Sequence, residues 1–197
     1  DLGMDVGAYD RTRNTAWSAQ REGVGFTITE LLGYGAAASE HPDAIHVEQG
    51  PGVLGAHFHL ADQFQVFLAG GGAIGRHPLA PLTVHYASQH TGYGPVVAGA
   101  DGLTYLTLRP ITRRETLYLP GAASQRDHSQ RPRQVSVGPI EPLVPGDDVA
   151  VRELIASAPD GLAAWQVSLA PGASRPAPSG DGGGRYQVVT DGMLQAD

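Results

Sequence analysis

The chain is 197 residues long, with 41% hydrophobic residues and a formal net charge of −7. That length supports one or two compact domains with a real core, and no stretch approaches the roughly 20 apolar residues that span a bilayer. The acidic balance argues against a nucleic-acid partner, which needs a basic face, and with no Cys there is neither a disulfide nor a thiolate metal site. All 13 basic residues are Arg, so lysine chemistry is excluded as well. The first five residues lack the basic and apolar regions of a signal peptide, and a cytoplasmic protein with no membrane partner is expected.

With 27 Gly and 15 Pro, the chain is rich in turn formers, which suits short strands. In chain order, β-branched and aromatic runs bounded by Gly, Pro or Asp predict strands over residues 25–32, 44–48, 64–68, 83–86, 103–108 and 116–119. Their spacing suggests an all-β barrel or sandwich. Residues 121–146, rich in Arg, Ser, Gln and Pro, read as a linker. The one helix candidate covers residues 148–157, with Val149, Val151, Leu154 and Ile155 as its apolar positions. Further on, residues 185–192 are similar to residues 63–70, and residues 167–172 to residues 47–52, which suggests a duplicated unit. The expected division is residues 1–120, a linker over 121–146, and residues 147–197.

The chemistry concentrates in the first of these. His57 and His59 are two residues apart, so on a strand both imidazoles project from one face. Leu60, Ala61 and Asp62 make a short turn, and Gln63 opens the next apolar strand, where a hairpin would return it beside the histidines. On that strand Phe67 shares the face of Gln63, which makes it the expected pocket wall, while Phe64 packs outward. His85 lies in a predicted strand and His77 on a neighbouring one.

From Gly52 onward the chain resembles the first motif of the cupin family: H-x-H, three residues, an acidic ligand, six residues, then Gly. His57, His59, Gln63 and Gly70 take those positions, with Gln where the family usually has Glu. The stretch from His85 to Gly94 is similar to the second motif in the spacing that makes His90 the third imidazole, but it lacks that motif's Pro, Gly and Asn. The resemblance implies an all-β cupin barrel, a double-stranded β-helix of jelly-roll type, with residues 147–197 as a partial second cupin half. In that half Ser179, Asp181 and Arg185 stand where His57, His59 and Gln63 stand in the first, so it is expected to be metal-free, as in a degenerate bicupin.

The resemblance further implies one divalent metal ion held by His57, His59, Gln63 and His90. Fe(II) is favoured, although imidazole ligands also accept Mn, Zn, Ni or Co. His85 is the rival third ligand; otherwise it and Tyr86 are candidate proton carriers. Phe67, Tyr93 and His77 are the expected substrate pocket. Gln in place of Glu leaves the charge of the ion uncompensated, which strengthens it as a Lewis acid and attracts an anionic substrate. The expected function is a metal-dependent oxidoreductase, a dioxygenase acting on a small organic molecule, in a homodimer. The alternatives are a redox-neutral lyase or isomerase, and a non-catalytic small-molecule-binding cupin.

Overall fold

In the computed structural model, which describes residues 5, 7–10, 14–33, 38–146, 148–178 and 182–195, the regular elements are β-strands and a single short 3₁₀ turn. Two compact units are present, Asp1–Pro139 and Ile140–Asp197.

The first unit begins with a hairpin of β1 (Ala16–Arg21) and β2 (Val24–Leu32). Alternation decides its faces: Val24, Phe26 and Ile28 are buried, whereas Gly25 and Thr27 are exposed. Arg21, Ala19 and Trp17 sit directly across from those three buried residues and so share their face. The remaining strands are β3 (Asp43–Gln49), β4 (Gly52–Leu54), β5 (His57–Phe58), β6 (Gln63–Ile74), β7 (His77–Leu79), β8 (Val84–Ala87), β9 (Val96–Arg109), β10 (Leu117–Tyr118) and β11 (Gln134–Val137). One antiparallel sheet runs β1-β2-β3-β9-β6-β8-β11, with β4 added to β9 and β7 to β6. The path is open, ending at β1 and β11. β5 and β10 form a separate pair that carries His57.

The long central strands β6 and β9 change register between Phe67 and Ala69 and again between Gly70 and Gly72. Gly70 has a φ of 81°, and a Cβ there would run into the carbonyl oxygen of Gly102; at Gly72 it would meet that of Val97. Only glycine fits such close approaches, and bulges of this kind increase local twist. One core then collects side chains from several strands, among them Phe26, Val47, Leu54, Phe67, Val96 and Tyr105.

Three sequence expectations change. Residues 134–137, expected in a linker, form β11 and pair with β8, placing Val135 opposite Tyr86 and Val137 opposite Val84; the first unit therefore extends to Pro139. Residues 148–157, expected as a helix, instead give β12 (Val149–Ile155), paired with β13 (Ala164–Leu169) in the second unit. Val149 faces Leu169 and Val151 faces Val167, and these cross-strand partners outweigh a weak helical period in a β-branched run. Residues 185–192 form no strand, so the counterpart of β6 expected there is absent. Arg185 is exposed, and Ser179 and Asp181 lie outside the described residues, as do residues 1–4. Among the described residues no helix is long and apolar enough to cross a membrane.

Candidate functional site

The extended backbone of β5 and the residue after it sends His57 and His59 to one side and Phe58 to the other. Both imidazoles are buried, at 4% and 7% exposure, with ring centroids 5.3 Å apart and planes nearly perpendicular. The Nδ1 of His57 lies 2.8 Å from the carbonyl oxygen of Gly55, and that of His59 lies 2.6 Å from the carbonyl oxygen of Glu115. A carbonyl only accepts, so each Nδ1 carries the proton and each Nε2 keeps its lone pair. Burial lowers the pKa of His57, with its bond to Gly55 acting in the opposite direction. For His59 burial and then the charge of Arg109 hold the pKa well below the ordinary value. Both rings are therefore neutral donors at pH 7.

Asp62 fastens the turn that follows. Its carboxylate accepts from the backbone N–H of Gln89 at 2.8 Å and from the hydroxyl of Tyr86 at 3.1 Å. Gln63 then enters β6 facing inward, 1% exposed. Its Nε2 donates to the hydroxyl of Tyr93, which fixes the amide, and its Oε1 is buried with no hydrogen-bond partner among the described residues. A buried acceptor without a partner is costly, and its place in a native site asks for an explanation. Tyr93 is itself anchored, exchanging backbone hydrogen bonds with His57 at 2.9 and 3.0 Å and placing its ring edge-on to that imidazole at 4.6 Å. Burial raises its pKa, so the phenol keeps its proton.

His57, His59, Gln63 and Tyr93 share one cavity of about 230 Å³. Phe26, Ile28, Ile45, Val47, Leu54 and Val96 supply its apolar wall, and Gln65, Tyr105, Thr107 and Arg109 continue the polar side. Arg109 is 4% exposed and bonds Asp43 at 3.0 Å; burial lowers its pKa while Asp43 opposes that shift. Arg114 bridges Asp43 and Glu30 and lies 5.4 Å over the ring of Trp17, at the cavity edge. A broader depression of about 870 Å³ opens on the opposite face of β1 and β2, lined by alternate residues such as Ser18, Gln20 and Thr27, but it gathers no imidazole.

The other expected site residues lie elsewhere. His90, expected as the third ligand, is half-buried with a φ of 59°; its ring rests on Phe58 at 5.8 Å and its Nδ1 accepts from the backbone of Asp127. It is on the side of β5 away from the imidazoles of His57 and His59. His85 is fully buried, nearer the pair and 4.8 Å from the ring of Tyr93, but it does not line the cavity. Its Nδ1 bonds Gln65 at 3.0 Å and its Nε2 bonds Gln134 at 3.1 Å, so both nitrogens are engaged by neighbouring amides. Tyr86, the other expected proton carrier, spends its hydroxyl on Asp62. Phe67 packs in the core against Tyr105 at 5.1 Å, and His77 stands on β7; neither is among the cavity residues.

What sequence reading missed is the cationic side, Arg21, Arg109 and Arg114, together with Gln65. For Gln65 the signal was present, because it shares the inward parity of Gln63 and Phe67 on β6.

Two imidazole nitrogens and one amide oxygen are the donors that a metal ion would find here. Among the described residues no group of three or more His, Cys, Asp or Glu side chains converges, so Gln63 is the further donor that this cavity offers beside the two imidazoles. The residues fit a divalent ion in the usual way, each imidazole being oriented by a backbone carbonyl on its other nitrogen. No family model, curated protein or solved structure matches the chain.

Proposed function

We propose that the protein is a cupin-type metalloenzyme, holding one divalent ion through His57, His59 and Gln63 and acting on a small organic molecule in the adjoining cavity. The observation that carries this reading is the unpartnered Oε1 of Gln63 beside two imidazoles whose Nδ1 protons are already engaged. A divalent ion would be a ligand able to take up all three lone pairs. With three neutral donors it keeps its full charge, and it would supply Lewis-acid activation of a bound oxygen atom.

The chain itself does the rest. The apolar wall excludes water and strengthens every charge interaction inside. Tyr93 holds Gln63 in one orientation and keeps a proton on its own hydroxyl at the cavity. Resemblance to oxygen-using three-histidine cupins, of whose imidazoles this cavity holds two, makes a dioxygenase with Fe(II) the leading reading. A redox-neutral lyase or isomerase is the second, favoured by that phenolic proton beside the ligands.

Metal analysis combined with an oxygen electrode and a panel of small organic acids and carbonyl compounds tests the proposal. Iron with substrate-dependent oxygen uptake is the expected result. Another metal with turnover but no uptake selects the redox-neutral reading, and a chain that binds no divalent metal overturns both.

A further inference from the structure

The ionic side chains bordering the cavity are all cationic. Among the described residues Arg21, Arg109 and Arg114 line it and no Asp or Glu does. Asp43 and Glu30 neutralise this group only in part and from outside the cavity, Asp43 taking Arg109 and Arg114 while Glu30 takes Arg114. Arg109 and Arg114 are thus ion-paired from behind, and Glu22, which acts on His57 together with Arg21, lies nearby without lining the cavity. Arg109 is 4% exposed, and water screens its charge poorly at that depth. Across the cavity the wall is apolar, built by Phe26, Ile28, Val47 and Leu54 among others.

These two sides discriminate among ligands. An amine or other cation meets like charge along the lining, and a wholly apolar molecule makes no use of its guanidinium groups. A neutral polar molecule gains no charge-assisted bond, whereas a carboxylate gains bonds of about twice the ordinary strength. The cavity of about 230 Å³ is equivalent to roughly eight waters, which limits the ligand to a small molecule.

We propose that this cavity selects a small carboxylate with an apolar body, its anionic group drawn to the guanidinium groups of Arg109 and Arg21 and its body laid against Phe26, Ile28, Val47 and Leu54. The inference names the substrate class of the site proposed above and rests on that reading.

Calorimetric titration of the full chain, stripped of metal, with benzoate against benzamide and isobutyrate against isobutyramide tests it. Without metal, any preference for the anion comes from the protein alone. Each carboxylate is expected to bind at least tenfold more tightly than its amide. Arg21→Gln, chosen because Arg109 is locked to Asp43 in the interior, is expected to shrink the preference for carboxylate over amide at least threefold. Amides binding as tightly as carboxylates, no carboxylate binding, or a preference untouched by Arg21→Gln would each overturn the inference. Zinc uptake by the same protein is measured separately. Failure to take up zinc removes the metalloenzyme reading, whereas one zinc per chain with no anion preference removes only the carboxylate.

Discussion

A single peptide unit on either side of Phe58 separates two environments. His57 and His59 point into the cavity, while the Phe58 ring points away and carries His90 on its face. The expectation of His90 as a ligand came from motif spacing, which carries no information about the pleat. For His57 and His59 spacing and pleat agree, and their shared face was legible. His57→Ala or His59→Ala is expected to lower metal affinity by more than about a hundredfold, since even the outer partners of a metal ligand are worth about 10–100-fold. Far-UV circular dichroism should remain unchanged, because the sheet is held by strand pairing elsewhere. At Gln63 the direction of one hydrogen bond matters. Tyr93→Phe leaves the amide Nε2 without its acceptor, at a cost of about 1–3 kcal/mol, and frees the amide to rotate. Denaturant unfolding should register that loss, and metal affinity should fall with it. Gln63→Glu should tighten metal binding by supplying an anionic oxygen; an affinity indifferent to this exchange would remove Gln63 from the metal.

Among the elements, β8 and β11 seal an imidazole inside the fold, and this has a consequence for acid stability. Burial, aided by the charges of His57 and His77, lowers the pKa of His85 from 6.5 to about 3. Between those values the unfolded chain binds a proton that the native chain does not, so stability falls as the pH drops from about 6.5 towards 3. The slope is up to about 1.4 kcal/mol per pH unit for one such histidine, and His57 and His59 act in the same direction. His85→Gln should make the decline shallower by up to that amount in denaturant titrations between pH 6 and 4; an unaltered slope would show that His85 is not the group being titrated.

The bulged β6–β9 pair gives a second prediction at this scale. Gly70→Ala places a methyl group against the Gly102 carbonyl at a positive φ, and should cost several kcal/mol, of the size expected for backbone strain at a special conformation. The mechanism of that cost explains why Gly70 was readable from sequence as the end of a motif. The helix expected over residues 148–157 failed for a converse reason. Its apolar spacing fits either period over ten residues, and the deciding fact, the partner strand β13, lies further along the chain.

At the level of the whole molecule, the all-β class followed from composition and from runs such as residues 25–32 and 103–108, which fall within β2 and β9. The cationic side of the cavity did not, because Arg21, Arg109 and Arg114 are brought together only by the order in which β1, β2, β3 and β9 pair. Asp43 ties this region to the interior through Arg109 and Arg114. Asp43→Ala leaves a buried guanidinium without its counter-charge and is expected to cost about 3–5 kcal/mol, seen as a lowered midpoint in denaturant unfolding.

The most direct measurement is a titration of metal-free protein with Co(II), followed by its visible absorption and by equilibrium dialysis. The expected result is one Co(II) per chain for the natural sequence and none at the same concentrations for the His57→Ala/His59→Ala double variant, with matching far-UV spectra. Equal Co(II) binding by both proteins, or none by either, would contradict a metal centre built on His57, His59 and Gln63.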